Sequence, residues 1–123
     1  MTDKIVILVT CASEDEAEKL ARALVEERLA ACVNIHGAPI RSIYRWEGKV
    51  ERSKEHLLII KSTLARFPAL RDAISKVHSY DLPEIIALPI AAGSDAYLNW
   101  LGDSVGPSPQ RRHLAPYARR GKK

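Results

Sequence analysis

Cys11 and His78 are the two side chains whose type and position best suit chemistry. Cys11 closes the β-rich run Lys4–Cys11, just ahead of Ser13 and Glu16, the pair that makes a helix capping box. A thiol beside a helix N-terminus loses its proton more readily and attracts soft metal ions. A free cysteine in an apolar strand is equally a small buried hydrophobe. His78 follows an amphipathic stretch and falls at a helix end, where an imidazole either complements the negative terminus or ligates a metal. One cysteine and one histidine make a sparse site, suited to weak copper or zinc binding rather than to catalysis. Cys32, within Ala30-Ala31-Cys32-Val33, reads as simply buried.

A second set is aromatic and polar. Tyr44, Trp46 and Tyr80 are placed to anchor an interface, and Lys61 and Glu84, at predicted strand ends, to line a polar cleft between subunits. Packing and solvent exposure explain the same residues without a site. Gly102-Asp103-Ser104-Val105-Gly106 satisfies the G-x-S-x-G pattern of hydrolases. That motif needs a strained strand-to-helix turn, whereas here it follows a helical segment and runs into Pro107. No phosphate-cradling glycine loop is present, and the segment after the first strand, Ala12-Ser13-Glu14-Asp15-Glu16, would repel phosphate. The expectation is therefore a protein that is not an enzyme and carries no organic cofactor.

The elements that must position these residues alternate cleanly. After the strand Lys4–Cys11, Ala17, Leu20, Ala21, Leu24 and Val25 follow helical spacing. Residues 32–46 and 50–61 are β-patterned and meet at Glu47-Gly48, a hairpin turn. A second helix begins between Thr63 and Pro68; a last strand spans residues 84–88, and a short closing helix spans 95–101. The series is α+β, a ferredoxin-like βαββαβ arrangement with a long hairpin between the second and third strands. Numbered along the chain, the four strands should lie in the antiparallel order 4-1-3-2. That order predicts Cys11, Trp46, His78 and Glu84 toward one edge. The hairpin strands are about twice the usual length of roughly 5–6 residues. Their distal part carries Ile43, Tyr44, Trp46 and Val50, an apolar ribbon that invites pairing with another chain.

A chain of 123 residues with 46% hydrophobic and 28% charged residues fits one globular domain. The longest apolar run, residues 5–9, is far too short to span a bilayer, and no secretory signal is apparent. A cytoplasmic location without membrane attachment is the expectation. The net charge of +4 divides unevenly: residues 1–102 carry −1 and residues 103–123 carry +5. The chain thus reads as a near-neutral domain, 1–102, followed by a basic disordered tail, 103–123. Nucleic acid is not expected as a partner except through that tail.

Three stretches, Val25-Glu26-Glu27-Arg28-Leu29-Ala30-Ala31-Cys32-Val33-Asn34-Ile35, Ser42-Ile43-Tyr44-Arg45-Trp46-Glu47-Gly48-Lys49-Val50 and Leu82-Pro83-Glu84-Ile85-Ile86-Ala87-Leu88-Pro89, closely resemble the CutA family of divalent-cation tolerance proteins. The likeness runs from about Ile5 to Leu101. It implies a cytoplasmic homotrimer of ferredoxin-like subunits, similar in assembly to the PII signalling proteins, linked to tolerance of copper and other divalent cations. It also implies copper, or another divalent cation, at Cys11 and His78. Where the family has a His-His pair before Pro-Tyr, this chain reads Val77-His78-Ser79-Tyr80, so His78 alone of the pair matches. The alternative is a PII-like module that binds a small ligand or partner in inter-subunit clefts formed by Tyr44, Trp46, Lys61, Tyr80 and Glu84.

Overall fold

The computed structural model describes residues 2–107 and 116–119. Five strands and three helices follow one another as β1 (Lys4–Cys11), α1 (Glu14–Glu26), β2 (Cys32–Ile35), β3 (Ile40–Trp46), β4 (Lys49–Thr63), α2 (Phe67–Val77), β5 (Ile85–Pro89) and α3 (Asp95–Asp103). A 3₁₀ turn, Leu64–Arg66, leads into α2, where Pro68 occupies the first turn and loses no helical hydrogen bond.

The sheet is antiparallel throughout, in the order β2-β4-β1-β5, with β3 also paired to β4. This five-strand order stands where sequence suggested four strands. The single strand expected over residues 32–46 is two, interrupted at 36–39. Gly37 and Pro39 lie in that interruption, and a proline has no N–H to give to a ladder. β4 is the spine: its last eight residues pair with β1 and its first seven pair with β3. The β3–β4 ribbon therefore projects beyond the rest of the sheet.

Alternation along the strands assigns the two faces. Ile5, Ile7, Val9 and Cys11 of β1 and Leu58 and Ile60 of β4 point to the side covered by α1 and α2. There they meet Ala17, Leu20 and Leu24 of α1 and Leu70 and Ile74 of α2, all buried. The opposite side carries Val6, Leu8, Leu57 and Ile59, half-buried, and Ile86 and Leu88, which are 50% and 46% exposed. Among the described residues, most of this apolar face is left uncovered.

α1 ends in a Schellman turn. Arg28 takes φ 58, and the amides of Arg28 and Leu29 return to Val25 and Leu24. This turn aims the Arg28 side chain at the end of α3. Its Nε donates to the Gly106 carbonyl at 2.7 Å, and one terminal nitrogen donates to the carbonyls of Asp103 and Pro107, each at 2.8 Å. The Gly106 amide donates back to the Arg28 carbonyl. Val105 is buried with Leu101 and Ala31 in a second small cluster. α3 continues to Asp103, and residues 103–107, which follow the boundary expected after residue 102, are tied to the body. Residues 108–115 and 120–123 of the expected tail lie outside the described residues. The Gly102–Gly106 motif sits at the end of α3 and not on a strand-to-helix elbow.

Candidate functional site

The end of β1, the start of α1 and the end of α2 converge on one polar cluster. The Ser13 hydroxyl accepts the Glu16 amide at 3.1 Å and caps α1. Glu16 turns back in the manner of a capping box, but its Oε1 accepts from the Ala12 amide, one residue before the cap. The same carboxylate also accepts from the Ser79 amide at 2.8 Å and from the Ser79 hydroxyl at 3.0 Å. One glutamate therefore clamps the loop after α2 onto the N-terminus of α1.

Burial pushes the Glu16 carboxyl up, but the hydrogen bonds from Ser79 and Ala12 and the His78 ring outweigh it, so the group titrates below the usual carboxylate range. A carboxyl with a depressed folded pKa contributes stability that is present above its unfolded value, about 4.3, and lost as pH falls through the folded value. Glu16→Gln is thus expected to lower the melting temperature by several degrees at pH 7. The gap to the parent protein should close as pH falls below about 4. Thermal denaturation from pH 3 to 7 checks this, and a gap independent of pH would contradict it.

His78 is held from both ring nitrogens. Its Nε2–H donates to the Thr10 carbonyl at 2.7 Å, and its Nδ1 accepts from the Tyr80 amide at 3.0 Å. Its side chain is fully buried, with Nδ1 at 3.7 Å from a Glu16 oxygen. Tyr80 stacks at a tilt beside it, ring centroids 4.8 Å apart, and donates its hydroxyl to Glu55 at 2.9 Å. Burial and that bond to Glu55 raise the Tyr80 phenol well above its ordinary value. Cys11 lies next to Thr10 in β1 and is fully buried. Burial pushes its thiol up to about 12, with the Glu16 and Glu55 carboxylates adding to the shift.

This donor set does not fit a resident metal ion as it stands. A thiolate is needed for ligation, and Cys11 is held as a thiol. Both nitrogens of His78 are already engaged. Among the described residues, no three His, Cys, Asp or Glu side chains are grouped to hold an ion.

Of the remaining candidates, Glu84 precedes Ile85, the partner of Val9, and so lies at the Cys11 end of the sheet; the others are dispersed within one chain. Tyr44 and Trp46 stand exposed on the projecting ribbon. Lys61 lies at the other end of β4, bonded to Asn34, and Glu84 is exposed just ahead of β5. Trp46 pairs with Lys49, seven residues along β4 from His56, the partner of Cys11; that places it roughly 24 Å away along the ribbon rather than beside the cluster. Cys32 is half-buried rather than sealed, its Sγ 3.8 Å from the Tyr97 hydroxyl and 3.6 Å from that of Tyr117. Sequence reasoning missed Glu55 and the second role of Glu16. Glu55 did leave a signal, as a carboxylate in register with the apolar Leu57 and Ile59.

Beside the cluster, an open groove of about 600 Å³ runs between α1 and the end of α2, lined by Leu20, Ala23 and Val77 among others.

Residues 5–104 match the model of the CutA1 divalent ion tolerance protein family. The chain is 50% identical over 101 residues to the divalent-cation tolerance protein CutA of Thermus thermophilus, covering 82% of this chain and 97% of that one. It is 49% identical over 101 residues to the chloroplastic protein CutA of Arabidopsis thaliana, covering 82% of this chain and 55% of that one. The chain thus spans about half the length of the plant relative. The solved structure of the Thermus thermophilus protein superposes with a TM-score of 0.82, covering 84% of this chain and 99% of that one.

Proposed function

Because the chain belongs to the CutA1 divalent ion tolerance family, we propose that it serves divalent-cation tolerance as a non-catalytic homotrimer that responds to metal ions rather than storing them. The observation that carries this reading is the sealed cluster itself. Cys11, His78, Glu16 and Glu55 gather at one end of the sheet but are engaged by neighbouring groups or held protonated. Cys11 and His78 would be the residues to hold a soft cation such as Cu⁺, and with the thiol protonated and both ring nitrogens engaged its affinity would be modest. The subunit is read as ferredoxin-like, and the uncovered apolar side of the sheet, continued by Trp46 and Tyr44 on the ribbon, is read as the trimer surface. A cytoplasmic location is proposed; among the described residues no helix is long and apolar enough to cross a membrane.

Titration with Cu⁺ under reducing conditions tests the ligands. Cys11→Ser should nearly abolish binding. Val77→His should tighten it by about tenfold or more, because it adds a second imidazole next to His78 at the end of α2. If Cys11→Ser binds copper as the parent does, the ligand assignment is wrong. A second reading is a module for a small ligand seated in the open groove beside the cluster, a place distinct from the inter-subunit clefts expected of Tyr44, Trp46, Lys61, Tyr80 and Glu84, none of which lines it. Calorimetry with a nucleotide panel separates the two.

A further inference from the structure

The β3–β4 ribbon segregates its charges by face. The register places Arg41 opposite Lys54, Ile43 opposite Arg52 and Arg45 opposite Val50, and these six side chains share one face. The other face carries Tyr44 with Glu51, Trp46 with Lys49 and Ser42 with Ser53. Because β4 alternates without interruption, the first face continues the helix-covered side of the sheet, and the second continues the open apolar side. All six residues of the first face are exposed. Four of them are cations, none is a carboxylate, and among the described residues none of the four cations makes a hydrogen bond or ion pair.

This arrangement works against the ribbon that bears it. Arg41 and Lys54 are direct cross-strand neighbours, whose Cβ atoms stand about 5 Å apart, and like charges so placed repel. They do not belong to a generally basic surface, since residues 1–102 carry a net charge of −1. A polyanion from outside the chain would turn the repulsion into attraction. We propose that this face binds the phosphate backbone of duplex nucleic acid.

Shape favours that partner. The ribbon extends seven residues beyond the part of β4 that pairs with β1, roughly 24 Å, and a two-stranded ribbon fits the major groove, about 12 Å wide. Alternate residues on one strand lie about 7 Å apart, so Arg52 and Lys54 reach neighbouring phosphates while Arg41 and Arg45 bracket the groove. Ile43 and Val50 between them present methyl groups of the kind that contact thymine. A bilayer would engage the other face, where Tyr44 and Trp46 lie, but Glu51 and Lys49 offset each other there and give anionic lipid no net attraction. The proposal goes beyond metal tolerance and does not depend on it. If the open side of the sheet forms the trimer, this face is the one left outward.

Fluorescence anisotropy with a short labelled duplex and the full chain tests it. Four phosphate contacts predict a log–log salt slope near −3.6, so affinity should fall roughly a hundredfold between about 50 and 200 mM salt. Arg41→Thr with Lys54→Thr replaces a repelling pair by one that suits a strand, so this variant should melt no lower than the parent. It should bind at least about tenfold more weakly at low salt, with a slope near −1.8. Unchanged affinity and slope in that variant overturn the proposal. So does loss of binding when Arg119, Arg120, Lys122 and Lys123 become serine while the ribbon is intact, which would place the contact in the basic terminus. Binding to phosphatidylserine vesicles without binding to the duplex would overturn it in favour of a lipid surface.

Discussion

Leu8→Asp is expected to leave no trimer. Leu8 lies at the centre of the open side of the sheet, between Ile59 of β4 and Ile86 of β5, with the α1 and α2 core on the other face. The substitution removes a leucine whose burial at an interface is worth about 1.5–3 kcal/mol and introduces a carboxylate without a partner. In a closed trimer that loss is repeated in each subunit. The parent should sediment as a single species of three chains, with an apparent stability that rises with protein concentration. Leu8→Asp should sediment as a monomer or fail to fold. Trp46→Ala supplies the gentler comparison: it leaves the core untouched and should loosen assembly by about 2 kcal/mol, as large interfacial aromatics do. A parent protein that is a folded monomer at micromolar concentration, or a Leu8→Asp protein that remains assembled, would rule out this face as the interface.

Arg28→Ala should be the most destabilising single change outside the apolar core, by about 3 kcal/mol. Three carbonyls at the end of α3 receive hydrogen bonds from one guanidinium, and charge-assisted bonds of this kind contribute about 1.5–3 kcal/mol each before solvent screening. Without the guanidinium, residues 103–107 keep the Ser104 hydrogen bonds to Trp100 and Leu101, the Gly106 amide and the seat of Val105, but lose the one side chain that ties three of their carbonyls to the end of α1. Arg28→Gly should be less harmful than Arg28→Ala. Glycine loses the same bonds but relaxes the left-handed backbone at φ 58, which disfavours a side chain by about 1–2 kcal/mol. Deleting residues 103–123 should resemble Arg28→Ala, whereas deletion from residue 108 should not. Chemical denaturation of the four proteins tests the ranking, and equal stability of Arg28→Ala and the parent would refute it.

What was legible in the sequence is what local chemistry dictates. Ser13 and Glu16 announce the start of α1, and apolar spacing defines both packed helices. Glu47-Gly48 marks the hairpin tip, where both residues take positive φ as a type I′ turn requires. The interruption of the second strand was also written there, in Gly37 and Pro39, but the β-rich residues on both sides outweighed it. The strand order brought the ends of β1 and α2, with Cys11 and His78, to one edge in advance, but not the hydrogen bonds formed there. Nothing near His78 in sequence indicates that Thr10 and Tyr80 occupy its ring nitrogens, because one contact spans 68 residues and depends on the sheet order. The Arg28 contacts span 75 to 79 residues and begin from a backbone conformation that arginine rarely adopts. Charge counted along the chain likewise reports a neutral body and hides a ribbon face whose charges are all positive.

The spine position of β4 has a kinetic consequence. β1 pairs with β4 and β5, so nothing completes its ladder until the chain has been made at least to β4. Val9 and its partner Leu58 are separated by about 50 residues of synthesis, which take roughly 3–10 s at ribosomal rates. During that interval the apolar run of β1 has α1 as its chief native neighbour, joined to it by two residues. The β3–β4 hairpin, by contrast, closes within microseconds of leaving the ribosome, because its contacts are local. The nascent chain therefore completes its outermost feature as a preformed template, and the centre of the sheet zips onto the far half of β4 afterwards. Aggregation during expression should be governed by β1 waiting for its partner.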